Sequence, residues 1–189
     1  MFKRKFTFLL IFALFLFLPD KQARAIENLS RAIDYKELFA ENLSRGGKTL
    51  NLSGKKLGDE GLKILLEQDF IQRLKKIDLR YNAISSKGAK MLALSQPLPK
   101  LKTLILRHNF LADEGAVVFA NSSSFPNLEA LQLGWNEIRD AGALALATSE
   151  NFPKLKKLDL RGNFLAGKTK DTLRTNLAHL KSLRIFEGH

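Results

Sequence analysis

The sequence predicts an α/β fold in which one strand–helix unit is repeated and stacked along the chain. The motif LxxLxLxxN occurs four times, beginning at Leu74, Leu101, Leu128 and Leu155, with isoleucine in place of the second leucine in the first copy. Each copy begins 27 residues after the previous one without an insertion, as expected when a single supersecondary unit stacks on itself. After each motif, small and apolar residues recur at helical intervals, so every period is predicted to contain one strand and one helix.

Residues 1–25 have the pattern of a secretory signal peptide. Basic residues at 3–5 precede an apolar run from Phe6 to Leu18, and the small-residue site Ala23-Arg24-Ala25 follows. We therefore expect cleavage after Ala25. The run is short for a helix that spans ~30 Å of hydrocarbon, although an uncleaved anchor stays an alternative. We expect a secreted, periplasmic or cell-envelope protein that meets the membrane only through this leader during export.

The segments on either side of the repeats are predicted to cap them. Residues 26–46 are predicted as an N-terminal capping helix that shields the first strand. The repeats themselves span residues 47–168, and the first is atypical, as terminal repeats usually are. Residues 169–189 combine a polar helix with a truncated last unit, which begins at Leu180, two residues earlier than the period requires.

The first half of each unit is predicted to be a strand with one buried side. Leucine-type residues at the fourth and sixth positions, such as Leu104 and Leu106, alternate with the period of a strand. The ninth residue of the four motif copies is Asn82, Asn109, Asn136 or Asn163. An asparagine there is expected to turn the chain and to hydrogen-bond backbone groups of neighbouring units.

The second half of each unit is predicted to be a helix that begins at the thirteenth position. The residues at that position are Asp59, Ser86, Asp113 and Asp140, which are types that favour the N-cap. A glycine follows two residues later in each unit. Small residues such as Ala116 then allow the helix to lie close to the strand layer.

The motif resembles one class of leucine-rich repeats, the ribonuclease-inhibitor-like class. The likeness lies in LxxLxLxxNxL followed by DEGA at 113–116, with variants at 139–143 and 58–62. It implies a horseshoe-shaped solenoid with a parallel sheet on the concave side, helices on the convex side, and protein recognition on the concave face. Members of this class are mostly cytosolic in eukaryotes, so the leader indicates a bacterial exported protein. The absence of cysteine agrees, because secreted animal and plant domains usually carry disulfides.

The concave surface is predicted to consist of the third, fifth, seventh and eighth positions of each unit. The eighth position carries Tyr81, His108 and Trp135. Parallel strands lie ~4.8 Å apart, so these side chains should form one row about 10 Å long. The seventh position adds Arg80, Arg107 and Arg161, and the fifth adds Asp78, Ile105, Gln132 and Asp159.

Exposed aromatic residues beside arginines are typical of interface hot spots. We therefore predict that these ten residues bind a protein or peptide partner, and that the arginines bind its carboxylates or phosphates. In the alternative interpretation, the rings pack on neighbouring loops while the arginines form salt bridges with Asp78 and Asp159.

The charge of the chain also favours anionic partners, since the formal net charge is +12. Lysine pairs at 55–56, 75–76 and 156–157 are interpreted as solvated edges. They lack an interleaved aromatic platform, which argues against a specific nucleic-acid site.

Catalytic and metal-binding motifs are not found in the sequence. His108, His179 and His189 lie too far apart in the repeat frame to share a metal ion. The sequence has no nucleophile elbow, paired-carboxylate cleft or phosphate loop. We therefore expect no enzyme activity and no cofactor.

The sequence as a whole predicts a secreted, monomeric, non-enzymatic protein-binding module, such as a bacterial surface protein or a host-directed effector. The alternative is an envelope or periplasmic protein that holds anionic polymer or lipid headgroups through its basic surface. Ionic strength separates the two, because binding to a polyanion weakens steeply with salt.

Overall fold

The computed structural model describes residues 34–186, which form a stack of strand–helix units. The strands are β1 (Thr49–Asn51), β2 (Lys76–Asp78), β3 (Thr103–Ile105), β4 (Ala130–Gln132), β5 (Lys157–Asp159) and β6 (Ser182–Arg184). The helices are α1 (Tyr35–Asn42), α2 (Gly58–Leu66), α3 (Ser86–Ala93), α4 (Ala112–Ala120), α5 (Asp140–Ala147) and α6 (Gly167–Asn176), with a 3-10 helix at Asp69–Arg73. The strands form one parallel sheet in sequential order. The predicted α/β solenoid is confirmed, while the predicted signal peptide lies outside the described residues.

The pairing register of the sheet follows the sequence period. Thr49 pairs with Lys76, which pairs with Thr103, and the same 27-residue offset continues to β5. The last pair, Lys157 with Ser182, has an offset of 25 residues. The truncated unit therefore keeps its strand in the sheet even though its period is two residues shorter.

The core is one apolar layer between the sheet and the helices. Leu104 and Leu106, at the fourth and sixth positions of the same unit, are fully buried. Ala116 and Phe119 of α4 are buried in the same cluster. Each fully buried leucine contributes about 1.5–3 kcal/mol relative to an exposed one, so the repeated leucines supply most of the cohesion between units.

The ninth-position asparagines connect each unit to its neighbours. In Asn109, Nδ2 donates hydrogen bonds to the carbonyl oxygens of Leu79 and Leu106, at 3.0 and 2.8 Å. Its Oδ1 accepts from the backbone amides of Asn82 and Ile84, at 3.1 and 3.0 Å. The side chain thus satisfies buried backbone groups on both sides of the turn, which confirms the role expected for this position.

The helices begin differently from the sequence prediction. The thirteenth-position residues lie within the first helical turn and are not N-caps. The carboxylates of the three aspartates, Asp59, Asp113 and Asp140, instead accept hydrogen bonds from backbone amides where the helix of the next unit begins. Asp113 Oδ1 accepts from the backbone amides of Arg139 and Gly142, each at 2.8 Å. A Cβ at Gly142 would lie 2.6 Å from that oxygen, so the glycine makes room for the inter-unit cap.

The first and last units close the stack differently from the central ones. At the upstream end, Phe39 of α1 is buried in the core, and Tyr35 packs against Gly61 of α2. At the downstream end, Leu183 of β6 and Leu180 pack partly buried against the same core. Among residues 34–186, no helix is both long and apolar enough to cross a membrane.

Candidate functional site

Three aromatic side chains at the eighth position of successive units form one continuous stack. The ring centroids of Tyr81 and His108 are 4.2 Å apart, and those of His108 and Trp135 are 4.7 Å apart. Both pairs have an interplanar angle of 12°. The ring spacing follows the strand spacing, because each residue comes the same number of positions after its strand. The structure therefore brings these three predicted site residues together in one row.

The eighth position has a backbone conformation that ordinarily favours glycine. The φ angles of Tyr81, His108 and Trp135 are 56°, 56° and 55°. In the first and fifth repeats the position is occupied by Gly54 and Gly162, both with φ of 70°. A side chain at such an angle costs about 1–2 kcal/mol, and bulky residues adopt it rarely. The rings are therefore held against the local backbone preference, which is a pattern common at functional sites.

The two ends of the stack differ in how they are covered. Trp135 lies over Gly162, where an added Cβ would overlap the indole ring. Phe186 approaches the indole edge-on, with a centroid distance of 5.7 Å. At the upstream end, no atom lies within 4 Å of a Cβ placed at Gly54, and Tyr81 keeps 55% of its surface exposed. The stack is thus closed at Trp135 and open at Tyr81.

Two of the three predicted arginines bind carboxylates of their own units. Arg80 Nη2 lies 2.8 Å from Asp78 Oδ2, and its Nε also donates to this carboxylate. Arg161 Nη2 lies 2.6 Å from Asp159 Oδ2, and its Nε donates to Oδ1 at 3.0 Å. These two arginines therefore form the internal salt bridges that the alternative interpretation of the sequence predicted.

Three of the predicted fifth-position contacts are buried. Asp78 and Asp159 are each 4% exposed and Ile105 is 6% exposed, so they offer a partner almost no surface. Their predicted contact role is corrected accordingly: the two carboxylates fix guanidinium groups, and the isoleucine is buried apolar surface. Gln132 is partly exposed, but it lines a separate depression of about 390 Å³ together with Arg184.

Arg107 lacks a fifth-position carboxylate like those that Arg80 and Arg161 bind, because Ile105 occupies that position in its unit. Its guanidinium carbon lies 4.8 Å from the centroid of the Trp135 ring, and its buried Nε has no hydrogen-bond partner among residues 34–186. Arg161 lies 5.8 Å from the same ring centroid. Cation–π contacts of this kind contribute ~0.5–1 kcal/mol when exposed and more when water is excluded. Arg107 therefore presents a positive charge beside the indole without a bonded carboxylate.

The arginines also influence the ionisation of their neighbours. Burial lowers the pKa of His108, and the charges of Arg107 and Arg80 lower it further. Burial alone would raise the pKa of Asp159, but hydrogen bonds from Arg161 and the charges of Arg161 and Arg107 lower it overall. The middle ring of the stack is therefore held in its neutral form at neutral pH, while the carboxylate beneath the arginines stays charged.

Three exposed phenylalanines extend this surface and were missed in the sequence. Phe110 and Phe164 occupy the tenth position of their units, two residues after His108 and Gly162, and are 54% and 59% exposed. Phe186, in the truncated unit, is 50% exposed. The sequence could have indicated these residues, because a phenylalanine at the tenth position is not required by the repeat. A cavity of about 400 Å³ on this side is lined by Tyr81, His108, Phe110, Trp135, Glu137 and Phe164.

The surface offers aromatic rings for contact with another molecule. The stack offers ring faces and edges, and its one imidazole lies between two other rings. Within residues 34–186, no group of three or more histidine, aspartate or glutamate side chains could hold a metal ion.

One comparison with known proteins, the match to a family model, supports the fold. A family model described as "Leucine Rich repeat" matches residues 72–93, 98–120 and 126–147. A solved structure of leiomodin-1 actin-binding site 2 (ABS2) is similar with a TM-score of 0.49 and 14% identity, over 82% of this chain and 78% of that one. No curated protein matches the sequence significantly. The chain therefore contains leucine-rich repeats, which generally mediate protein binding and typically occur in non-enzymatic proteins.

Proposed function

We propose that this protein is a non-enzymatic recognition module that binds a protein or peptide through its stacked aromatic surface. That surface comprises Tyr81, His108 and Trp135, with the exposed phenylalanines Phe110, Phe164 and Phe186 around them. The observation that carries the proposal is the row of rings at positions where the end repeats use glycine. Glycine adopts the backbone conformation of these positions without strain. The fold therefore does not explain why aromatic residues occupy them.

Exposure and shape favour a partner with apolar side chains. Tyr81, Phe110, Phe164 and Phe186 are each at least half exposed. The first three line one cavity with Trp135, and Phe186 contacts Trp135. Contiguous exposed apolar surface of this kind usually marks an interaction site. Tryptophan and tyrosine also dominate interface hot spots, where truncation often costs 2 kcal/mol or more.

The charged rim gives the proposed site a preference for a partner carboxylate at one place. Arg80 and Arg161 are already bonded to Asp78 and Asp159, which leaves Arg107 as the arginine whose charge a partner would meet. A carboxylate beside Trp135 would bind its guanidinium with a charge-assisted hydrogen bond. The acidic character of the partner is therefore proposed to be local.

The proposal can be tested before any natural partner is known. The full chain is used to select peptides from a random display library, and the enriched peptides are titrated against variants. We expect the Tyr81→Ala/Trp135→Ala variant to bind them at least tenfold more weakly, which corresponds to about 1.4 kcal/mol. The matched control is Leu94→Ala/Leu144→Ala, which removes two exposed leucines elsewhere. It should bind as the wild type does.

Circular dichroism shows whether each variant is folded, and Tyr81→Ala alone provides a milder change if the double variant is not. Equal binding by a folded double variant would contradict the proposal. So would a selection that enriches no peptide above the empty support.

We also propose that the chain is an exported bacterial protein, acting at the cell surface or on a host. The signal-peptide pattern of residues 1–25 and the absence of cysteine support this. The full chain is expressed in a Sec-competent bacterium. The protein should then be found outside the cytosol, and mass spectrometry should show Ile26 as its first residue. Recovery of only uncleaved protein in the cytosol would contradict export.

A further inference from the structure

Basic residues lie along the edge of the sheet where the strands begin. The aromatic residues lie at the opposite edge, where the strands end. The second position of successive units carries Lys48, Lys75, Lys102, Glu129 and Lys156. The residue just before each unit is Arg73, Lys100, Asn127 or Lys154. Because the strands are parallel and in register, these two columns run side by side across the edge.

In the downstream half of this edge, the lysine side chains bind oxygen acceptors of the chain itself. Glu129 lies between two lysines, with 2.7 Å from its carboxylate oxygens to Lys102 Nζ and to Lys156 Nζ. These hydrogen bonds lower the pKa of Glu129 to about 2. Beside it, Asn127 Oδ1 accepts a hydrogen bond from Lys154 Nζ at 2.6 Å. Each cation named here therefore has an oxygen acceptor within the chain.

In the upstream half, basic residues occupy the same two columns, but no oxygen acceptor among residues 34–186 binds their side chains. A cavity of about 590 Å³ is lined by Arg45, Gly46, Gly47, Lys48, Arg73, Lys75 and Lys100, with no acidic residue among them. None of the five cationic side chains has a hydrogen bond or ion pair with another residue of the range 34–186. Lys75 stands in the column where Glu129 stands two units later.

The cavity is also accessible from the turn that precedes β1. No atom lies within 4 Å of a Cβ placed at Gly46 or Gly47, so a bound group could approach the backbone closely there. Five like charges around one cavity repel one another, and an anion in their midst relieves that repulsion. If residues 75–76 were only a solvated edge, five positive charges around one cavity would have no explanation.

We propose that this cavity binds a multiply charged oxyanion group of the phosphate type, which takes the place that Glu129 occupies in the downstream half. The proposal is independent of the aromatic surface, which lies at the opposite edge of the sheet. The same chemistry is offered by a soluble phosphorylated compound and by the phosphate headgroups of a lipid surface.

The first experiment titrates inorganic pyrophosphate into the full chain by calorimetry at low ionic strength. We expect binding by the wild type and at least a tenfold loss in Lys75→Glu, because the new carboxylate would occupy the site from within. Lys168→Glu in α6 changes the net charge equally at a distant place, and should alter the affinity by no more than about twofold, since distant exposed charges are screened. Arg73→Gln/Lys100→Gln should weaken binding as Lys75→Glu does.

The second experiment distinguishes the two sources of the phosphate. Sedimentation with phosphatidylglycerol vesicles is compared with phosphatidylcholine vesicles, with pyrophosphate as competitor. Vesicle binding that pyrophosphate reverses and Lys75→Glu abolishes assigns the site to headgroups, whereas pyrophosphate binding alone assigns it to a soluble compound. The proposal is overturned if neither probe binds at millimolar phosphate, or if Lys75→Glu and Lys168→Glu lose binding equally.

Discussion

In each central repeat, an exposed or partly exposed aromatic residue is followed directly by a largely buried asparagine. Asn109 is 2% exposed and bonds five backbone groups of its own and the preceding repeat. His108, one residue earlier, stacks between two other rings, and its own ring has no hydrogen bond to another described residue. Both positions recur with the same period, so recurrence alone does not distinguish a residue that builds the fold from one that is available for recognition.

The first and fifth repeats show which of the two positions the fold requires. Where the eighth residue is Gly54 or Gly162, the same left-handed turn is made without a side chain. The stack of rings is therefore additional to what the turn requires, whereas the asparagine satisfies buried groups that would otherwise be left unpaired. Substitutions at the two positions should consequently have opposite effects on stability and on binding.

The largest effect on stability is expected at the ninth position. Asn109→Ala removes hydrogen bonds from two buried carbonyls and two buried amides, and should lower the free energy of unfolding by about 3–5 kcal/mol. Urea denaturation measures the change. Asn121→Ala, which loses one exposed bond to Val117, is the matched control and should cost less than about 1 kcal/mol. Similar losses in the two variants would contradict the difference between the columns.

A smaller loss is expected where a side chain is added beneath the stack. Gly162→Ala places a Cβ at a φ of 70° and against the indole of Trp135. We expect a loss of about 1–3 kcal/mol and a shift in tryptophan emission as the ring moves. Gly167→Ala, where nothing lies within 4 Å of the added Cβ, should cause neither. Unchanged emission in Gly162→Ala would show that the indole does not rest on this glycine.

Removing a ring should cost little stability if glycine replaces it. Tyr81→Gly loses a half-exposed side chain but relieves the left-handed backbone, so we expect a net change within about 1 kcal/mol. Tyr81→Ala loses the same ring and keeps the strain, and should be the less stable of the two. Thermal denaturation of the pair isolates the backbone contribution. An alanine variant as stable as the glycine variant would remove the argument from strain.

The smallest effect concerns pH. The pKa of His108 is lowered by burial and by Arg107 and Arg80, so the unfolded chain takes up the proton first as the pH falls. Stability from this residue is therefore complete above the ordinary value near 6.5 and decreases as the pH falls below it. The melting temperature of the wild type should drop more between pH 7.5 and pH 5.5 than that of His108→Gln. Parallel decreases would exclude His108 as a source of the pH dependence.

The period in the sequence was sufficient to predict the sheet, its register and the role of Asn109, because each follows from the constant spacing between equivalent residues of successive units. The helix caps were predicted wrongly, since Asp113 bonds amides of the following unit and not of its own helix. That choice depends on how units stack, which local residue preference does not encode.

The row of Tyr81, His108 and Trp135 was likewise predictable from strand spacing. The pairing of Arg80 with Asp78 could be stated only as an alternative, because the sequence does not reveal which way a long side chain turns. Phe110 was missed because the tenth position was not counted as part of the surface. The isolated charge of Lys75 became visible only by comparison with the ion pairs of Glu129.

The central claim, that a partner covers the aromatic stack, can be tested through the single tryptophan of the chain, Trp135. Acrylamide quenching of its fluorescence is measured with and without a saturating concentration of a library-selected peptide. We expect the quenching constant to fall on binding, and to fall equally in the Leu94→Ala/Leu144→Ala control. A quenching constant that stays unchanged at saturation would show that the peptide binds elsewhere, and would contradict the claim.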